Sequence, residues 1–200
     1  MPIVSIEVML AFLSTCSLEE KLGFKVVAQC APVLKGVKVS NLITVKPGTC
    51  GLIKQYLGGS QVICTPLYSG RGREILFLYR YDALEEYLKR PEVRHFLAGY
   101  GYLDRSVSGV LIRLRKRYAD YVEKRWAFPH ELGVILEYPV EDVEGFIRNG
   151  GKNCLTERYW KVYHNRERAE EIFRQYDMVK EMAMREIVSG RSLSQVVVRE

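Results

Sequence analysis

The chain has 200 residues, a hydrophobic fraction of 48%, a charged fraction of 27% and a formal net charge of +6. Length and composition suit one globular domain able to bury a full core, with no internal repeat, low-complexity segment or linker. No apolar run approaches the roughly 20 residues that span a bilayer, and the sequence pI near 9.0 is read as solubility before any anionic partner.

The start, MPIVSIEVMLAFLSTCSLEE, superficially resembles a signal peptide. It has no positive n-region, carries Glu7 and lacks a clean small-residue cleavage site, so it is expected as a helix of the mature fold. That helix runs from Ile3 to Leu13, with Ile6, Met9, Leu10 and Leu13 on one side. Ser17 and Glu20 form a capping box, which predicts a second helix from Leu18 to about Cys30, stopped by Pro32. Asn41 to Val45 is β-rich, and after Lys46-Pro47-Gly48 a helix capped by Thr49 runs to Leu57. Gln61 to Tyr68 and Glu74 to Tyr81 read as strands joined by the Gly-rich Ser69–Arg73 linker. EILFLYRY is apolar on both faces, which places it at the centre of a sheet.

Asp82 caps a helix to Leu88, Pro91 opens another to about Leu97, and a longer helix covers Ser106 to Arg125. The stretch from Phe128 to Asn165 reads as a short helix, a Pro turn, a second short helix, a Gly-Gly-Lys-Asn loop and a strand from Arg158 to Tyr163. Asn165 caps a long C-terminal helix whose stripe is Ala169, Ile172, Phe173, Tyr176, Val179, Ala183 and Ile187. The predicted architecture is one α+β domain over residues 1–190, with a small mixed sheet of about four strands covered by helices, and a fraying tail at 191–200.

The candidate chemistry gathers in Phe128–Asn165. His130 and Glu131 open a helix whose core side is Leu132, Ile135 and Leu136. His130 is a candidate acid/base or ligand contact, and Glu131 suits the positive helix end. The zinc-protease pattern H-E-x-x-H fails because position 134 is Val. Gly145 inside the next helix implies a close neighbour. Gly151, Lys152 and Asn153 form a loop with a cation and free amides that suits an anion, though it is no P-loop. In the last strand Trp160 and Val162 share the core face, while Tyr159, Lys161 and Tyr163 form an aromatic–cation–aromatic row that can stack a planar ligand. The five cysteines are odd in number, far apart and without C-x-x-C spacing, so no metal site is expected and free thiols in a reducing cytosol are. A catalytic Cys30 requires His130 beside it. Arg113, Arg115, Lys116, Arg117, Lys124 and Arg125 make one helix basic, but helical geometry spreads these cations around it, and no nucleic-acid-binding signature accompanies them.

CAPVLKGVKVSNLI, ILFLYRYDALEEYLKRPEVRHFL, FPHELGVILEYPVEDVEGFIRNGGKN and YWKVY, in that order over roughly residues 20 to 180, resemble the bacterial domain-of-unknown-function family 3793. The resemblance implies a single-domain bacterial cytosolic protein and no particular activity. Its motif residues here include Cys30, Lys38, Asn41, His130, Glu131, Tyr138, Asp142, Gly145, Lys152, Asn153, Tyr159, Trp160 and Lys161. The chain departs from the family pattern at Glu157-Arg158, where Cys-Gly is expected.

The leading functional expectation is a cytoplasmic binding module for a small anionic or planar ligand, lined by His130, Lys152, Asn153, Tyr159 and Lys161. The alternatives are an enzyme using His130 with Glu131 or Cys30, and nucleic-acid binding through the Arg113–Arg125 helix. Cofactor and oligomeric state are left open.

Overall fold

The structure, a computed structural model, describes residues 6–198, without the side chains of Ile6 and Val8. The Ile3 start expected for the first helix lies outside the described residues. The elements are α1 (Ile6–Thr15), α2 (Leu18–Leu34), β1 (Ser40–Val45), α3 (Cys50–Leu57), β2 (Val62–Gly70), β3 (Arg73–Arg80), α4 (Tyr81–Leu88), α5 (Pro91–Gly99), α6 (Val107–Val122), α7 (Leu132–Ile135), α8 (Val140–Arg148), β4 (Thr156–Glu157), β5 (Lys161–Val162), α9 (Arg166–Val188) and α10 (Leu193–Val196). No helix among the described residues is long and apolar enough to cross a membrane.

The class is α+β. β3 is central, in the order β1-β3-β2, and both pairings are antiparallel. The β2–β3 hairpin closes through Arg71 and Gly72, both at positive φ, the two-residue turn whose twist matches the strands. Pro66 sits on the edge strand β2, next to a bulge at Leu67, where a missing N–H is tolerated. At the other edge the Leu42 N–H donates to Asn41 Oδ1 at 3.0 Å, and Asn41 Nδ2 donates to the Gln29 carbonyl at 2.6 Å. Asn41 thereby covers an edge donor that a foreign strand would otherwise use.

Period-two alternation along β3 divides the interior. Ile75, Phe77 and Tyr79 face a core shared with α4, α5, α6 and α7. Leu76 and Leu78 face a second core shared with α2, α3, α10 and the end of α9. A third cluster holds Trp160 and Val162 against Ala169, Phe173 and Tyr176 of α9.

Several expectations change, among them the caps: Thr49 makes no side-chain cap on α3, and Arg80, not Asp82, holds the N-cap position of α4. The sheet is antiparallel with three strands, where a mixed sheet of about four was expected. The Arg158–Tyr163 segment pairs instead with β4 in a separate ribbon, Thr156 opposite Val162 and Glu157 opposite Lys161. Pro32 does not stop α2: it lies in the last turn, where it forfeits a single donor, and its carbonyl accepts from the Val37 and Lys38 N–H groups. The described residues after Gly190 are packed where a fraying tail was expected: Ser192 and Gln195 form a capping box, and Leu193, Val196 and Val197 are buried in the second core.

Candidate functional site

A cleft of about 590 Å³ opens where α7, α8 and the β4–β5 ribbon meet the edge of β1. Leu42, Leu132, Leu136, Val143 and Phe146 make much of its wall, and Tyr138, Tyr159 and Trp160 add aromatic surface. α7 is a single turn because Glu137 adopts a left-handed conformation, φ 64°, just after its C-cap. The chain then reverses through Pro139 into α8, so both helices present apolar sides to one space. Gly133 keeps that space open, since a Cβ there would meet Val143 Cγ2 at 2.9 Å.

The ribbon forms the opposite wall. Tyr138 stacks on Trp160 with ring centroids 5.3 Å apart, and Trp160 meets Phe173 edge-on at 4.5 Å. Asp142 fixes this arrangement from within α8. It is 2% exposed and accepts from Trp160 Nε1 at 2.7 Å and from the backbone N–H groups of Tyr163 and His164 at 2.7 and 2.9 Å. The sequence marked Asp142 as a motif residue of the family resemblance. Its real donors lie about twenty residues downstream, and a local pattern does not carry them.

His130 stands on the cleft wall between Phe128 and Phe146, ring centroids 5.4 and 5.3 Å away. Its imidazole has no hydrogen-bond partner among the described residues. Tyr159 and Lys161 also line the cleft, but both are engaged. The Tyr159 hydroxyl donates to Asp177 at 2.9 Å, and burial together with that carboxylate pushes its pKa up. Lys161 Nζ donates to the Gly151 carbonyl at 2.9 Å and lies 3.5 Å from Glu157. Arg158, a lining cation the sequence did not single out, pairs with Asp177 at 2.6 Å.

The remaining candidates lie elsewhere. Lys152 is exposed and outside the cleft, and Asn153, at φ 58°, lines a separate depression with Glu141, Arg148 and His164. Glu131 is fully buried and turned away from His130: Arg117 Nε donates to it at 2.7 Å and the Tyr102 hydroxyl at 3.3 Å. Cys30 belongs to the second core, across the sheet, and burial pushes its thiol up to about 12. Neither a carboxylate nor a thiolate is thus delivered to His130 by Glu131 or Cys30. Among the described residues no group of three or more His, Cys, Asp or Glu side chains is placed to hold a metal ion.

The basic helix is largely engaged within the chain. Arg113 donates to the Tyr100 carbonyl, Arg115 to Pro66 and Thr65, Lys116 to Asp120, Arg117 to Glu131, and Arg125 to Asp120. Of the six cations, Lys124 alone has no such partner among the described residues. The charge that composition suggests for a nucleic-acid face is directed at carbonyls and carboxylates.

A family model described as "Protein of unknown function (DUF3793)" matches residues 26–197. No curated protein and no solved structure matches the chain.

Proposed function

The chain belongs to the DUF3793 family, whose description assigns no activity, and from its own geometry we propose that it is a binding module for a small planar, largely apolar molecule seated in the α7–α8–ribbon cleft. The observation that carries this reading is an aromatic-walled cleft holding one imidazole with no hydrogen-bond partner among the described residues. A volume of about 590 Å³ falls within the range typical of small-molecule sites, about 300–1,000 Å³. Such sites pair an apolar wall with a few converging polar groups, and His130 is that group here.

Of the two ligand properties expected from sequence, planarity has the better support. The rim cations Arg158 and Lys161 already face Asp177 and Glu157, so an anion must displace an existing partner to gain either. A neutral ring system needs no displacement: it stacks near Tyr138 and Trp160 and takes one hydrogen bond from or to His130.

The test uses Trp160 as reporter in a Trp126→Phe chain, which leaves a single tryptophan. Neutral 2-naphthol should quench Trp160 saturably and bind more tightly than 2-naphthalenesulfonate. His130→Ala should weaken 2-naphthol about five- to tenfold, the worth of one hydrogen bond. Unchanged Trp160 emission with both probes would overturn the reading.

A further inference from the structure

In the core across the sheet from the cleft, two thiols meet that the sequence keeps fourteen residues apart. Cys50 is the first residue of α3 and half-buried; Cys64 lies on β2 and is 3% exposed. α3 packs across β2, and Cys50 joins the core that contains Cys64. Across this contact Cys50 acts electrostatically on the Cys64 thiol.

Their settings differ in a useful way. Thr49 turns its hydroxyl back to the Lys46 carbonyl at 2.6 Å and makes no side-chain cap on α3. The leading N–H groups of α3 therefore keep their positive potential beside Cys50, and the Lys54 ammonium acts on Cys64. Solvent reaches Cys50, so an oxidant can too. Cys64 is walled in by Ile53, Leu57, Val62 and Leu78, and burial raises its pKa so that it keeps its proton. Cys30 shares the core but is fully buried.

We propose that Cys50 and Cys64 form a peroxide-sensitive thiol pair that closes into a disulfide joining the start of α3 to β2. The chemistry balances in two steps. The Cys50 sulfur attacks hydrogen peroxide, the O–O bond breaks, and Cys50 sulfenic acid and water are formed. The Cys64 sulfur then attacks the sulfenic sulfur; the S–S bond forms, the S–O bond breaks, and the leaving hydroxide takes the Cys64 proton as a second water. Two thiols are oxidised and one peroxide is reduced. The site is independent of the cleft, so neither reading depends on the other.

The full reduced chain is treated with hydrogen peroxide, alkylated and mapped. The expected result is loss of two hydrogen atoms, one crosslinked peptide pair containing Cys50 and Cys64, and reversal by dithiothreitol. Cys30→Ala should keep the crosslink, and Cys64→Ala should leave a Cys50 sulfenic acid that dimedone captures. The map of the unsubstituted chain decides the matter even where a variant folds poorly. All five thiols remaining alkylatable, a bridge through Cys16, Cys30 or Cys154, or Cys50 passing to sulfinic acid with Cys64 still free would each overturn the proposal.

Discussion

Lys38 shows how much one side chain can cost a fold. It is 5% exposed, with its ammonium 5.1 Å from the Tyr138 ring centroid and 5.8 Å from that of Tyr176. Burial lowers its pKa to about 8 against the pull of Glu137, whose own carboxyl burial pushes up while the Val39 N–H at 2.8 Å opposes the rise. Below pH 8 both folded and unfolded chains carry this proton, and the full desolvation penalty is present. Between about 8 and the ordinary lysine value of about 10.5 the unfolded chain binds the extra proton, so wild-type stability should rise with pH across that window. Lys38→Met should therefore be stabilising at pH 7 by roughly 2–3 kcal/mol, and the gain should fade by pH 10.5. Urea denaturation at the two pH values checks it; equal gains at both would mean the effect is packing alone. Glu137 adds a second cost, a non-glycine residue at positive φ, which for a side chain with a partner of its own is of order 1 kcal/mol. Neither feature was legible beforehand, because Lys38 and Glu137 are neighbours only once β1 lies against the end of α7.

Among the elements, α8 and the ribbon form facing walls of the cleft, and Asp142 joins them. Asp142→Ala leaves the Trp160 indole and two backbone N–H groups without their acceptor, an expected loss of about 3 kcal/mol accompanied by a red shift of Trp160 emission. Gly145 tests the same contact from the other side. A Cβ at Gly145 would run into Tyr163 Cβ and Cγ, so Gly145→Ala should destabilise by about 1–3 kcal/mol although alanine is the better helix former. A gain in thermal midpoint for Gly145→Ala would show that the ribbon does not lie against α8. The close neighbour of Gly145 was legible, since a glycine in mid-helix has few other reasons to be there. So were the capping box at Ser17 and Glu20, where the backbone N–H groups are bonded at 2.8 and 3.2 Å, and the central place of β3. These signals are local or periodic. The separate pairing of the ribbon is neither: it depends on a carboxylate in α8.

Across the whole molecule, a three-stranded sheet separates two cores, and the cleft sits at the β1 edge of one of them. This arrangement divides the residues that the sequence grouped together. His130, Tyr159 and Lys161 reach the cleft, Lys152 and Asn153 stay outside it, Glu131 turns into the first core, and Cys30 lies in the second. Sequence proximity placed all of Phe128–Asn165 in one candidate site, whereas the turn at Glu137 and the ribbon decide which side chains share a space. The proposed binding of a planar apolar ligand is confined to this space. The most direct measurement is methyl and aromatic NMR shift mapping on addition of 2-naphthol. Shifts should centre on Leu42, Leu132, Leu136, Val143, Phe146 and the His130 ring, with Val26, Leu34, Ile53 and Leu57 of the far core unmoved. Shifts centred on the far core, or none at saturating probe, would contradict it.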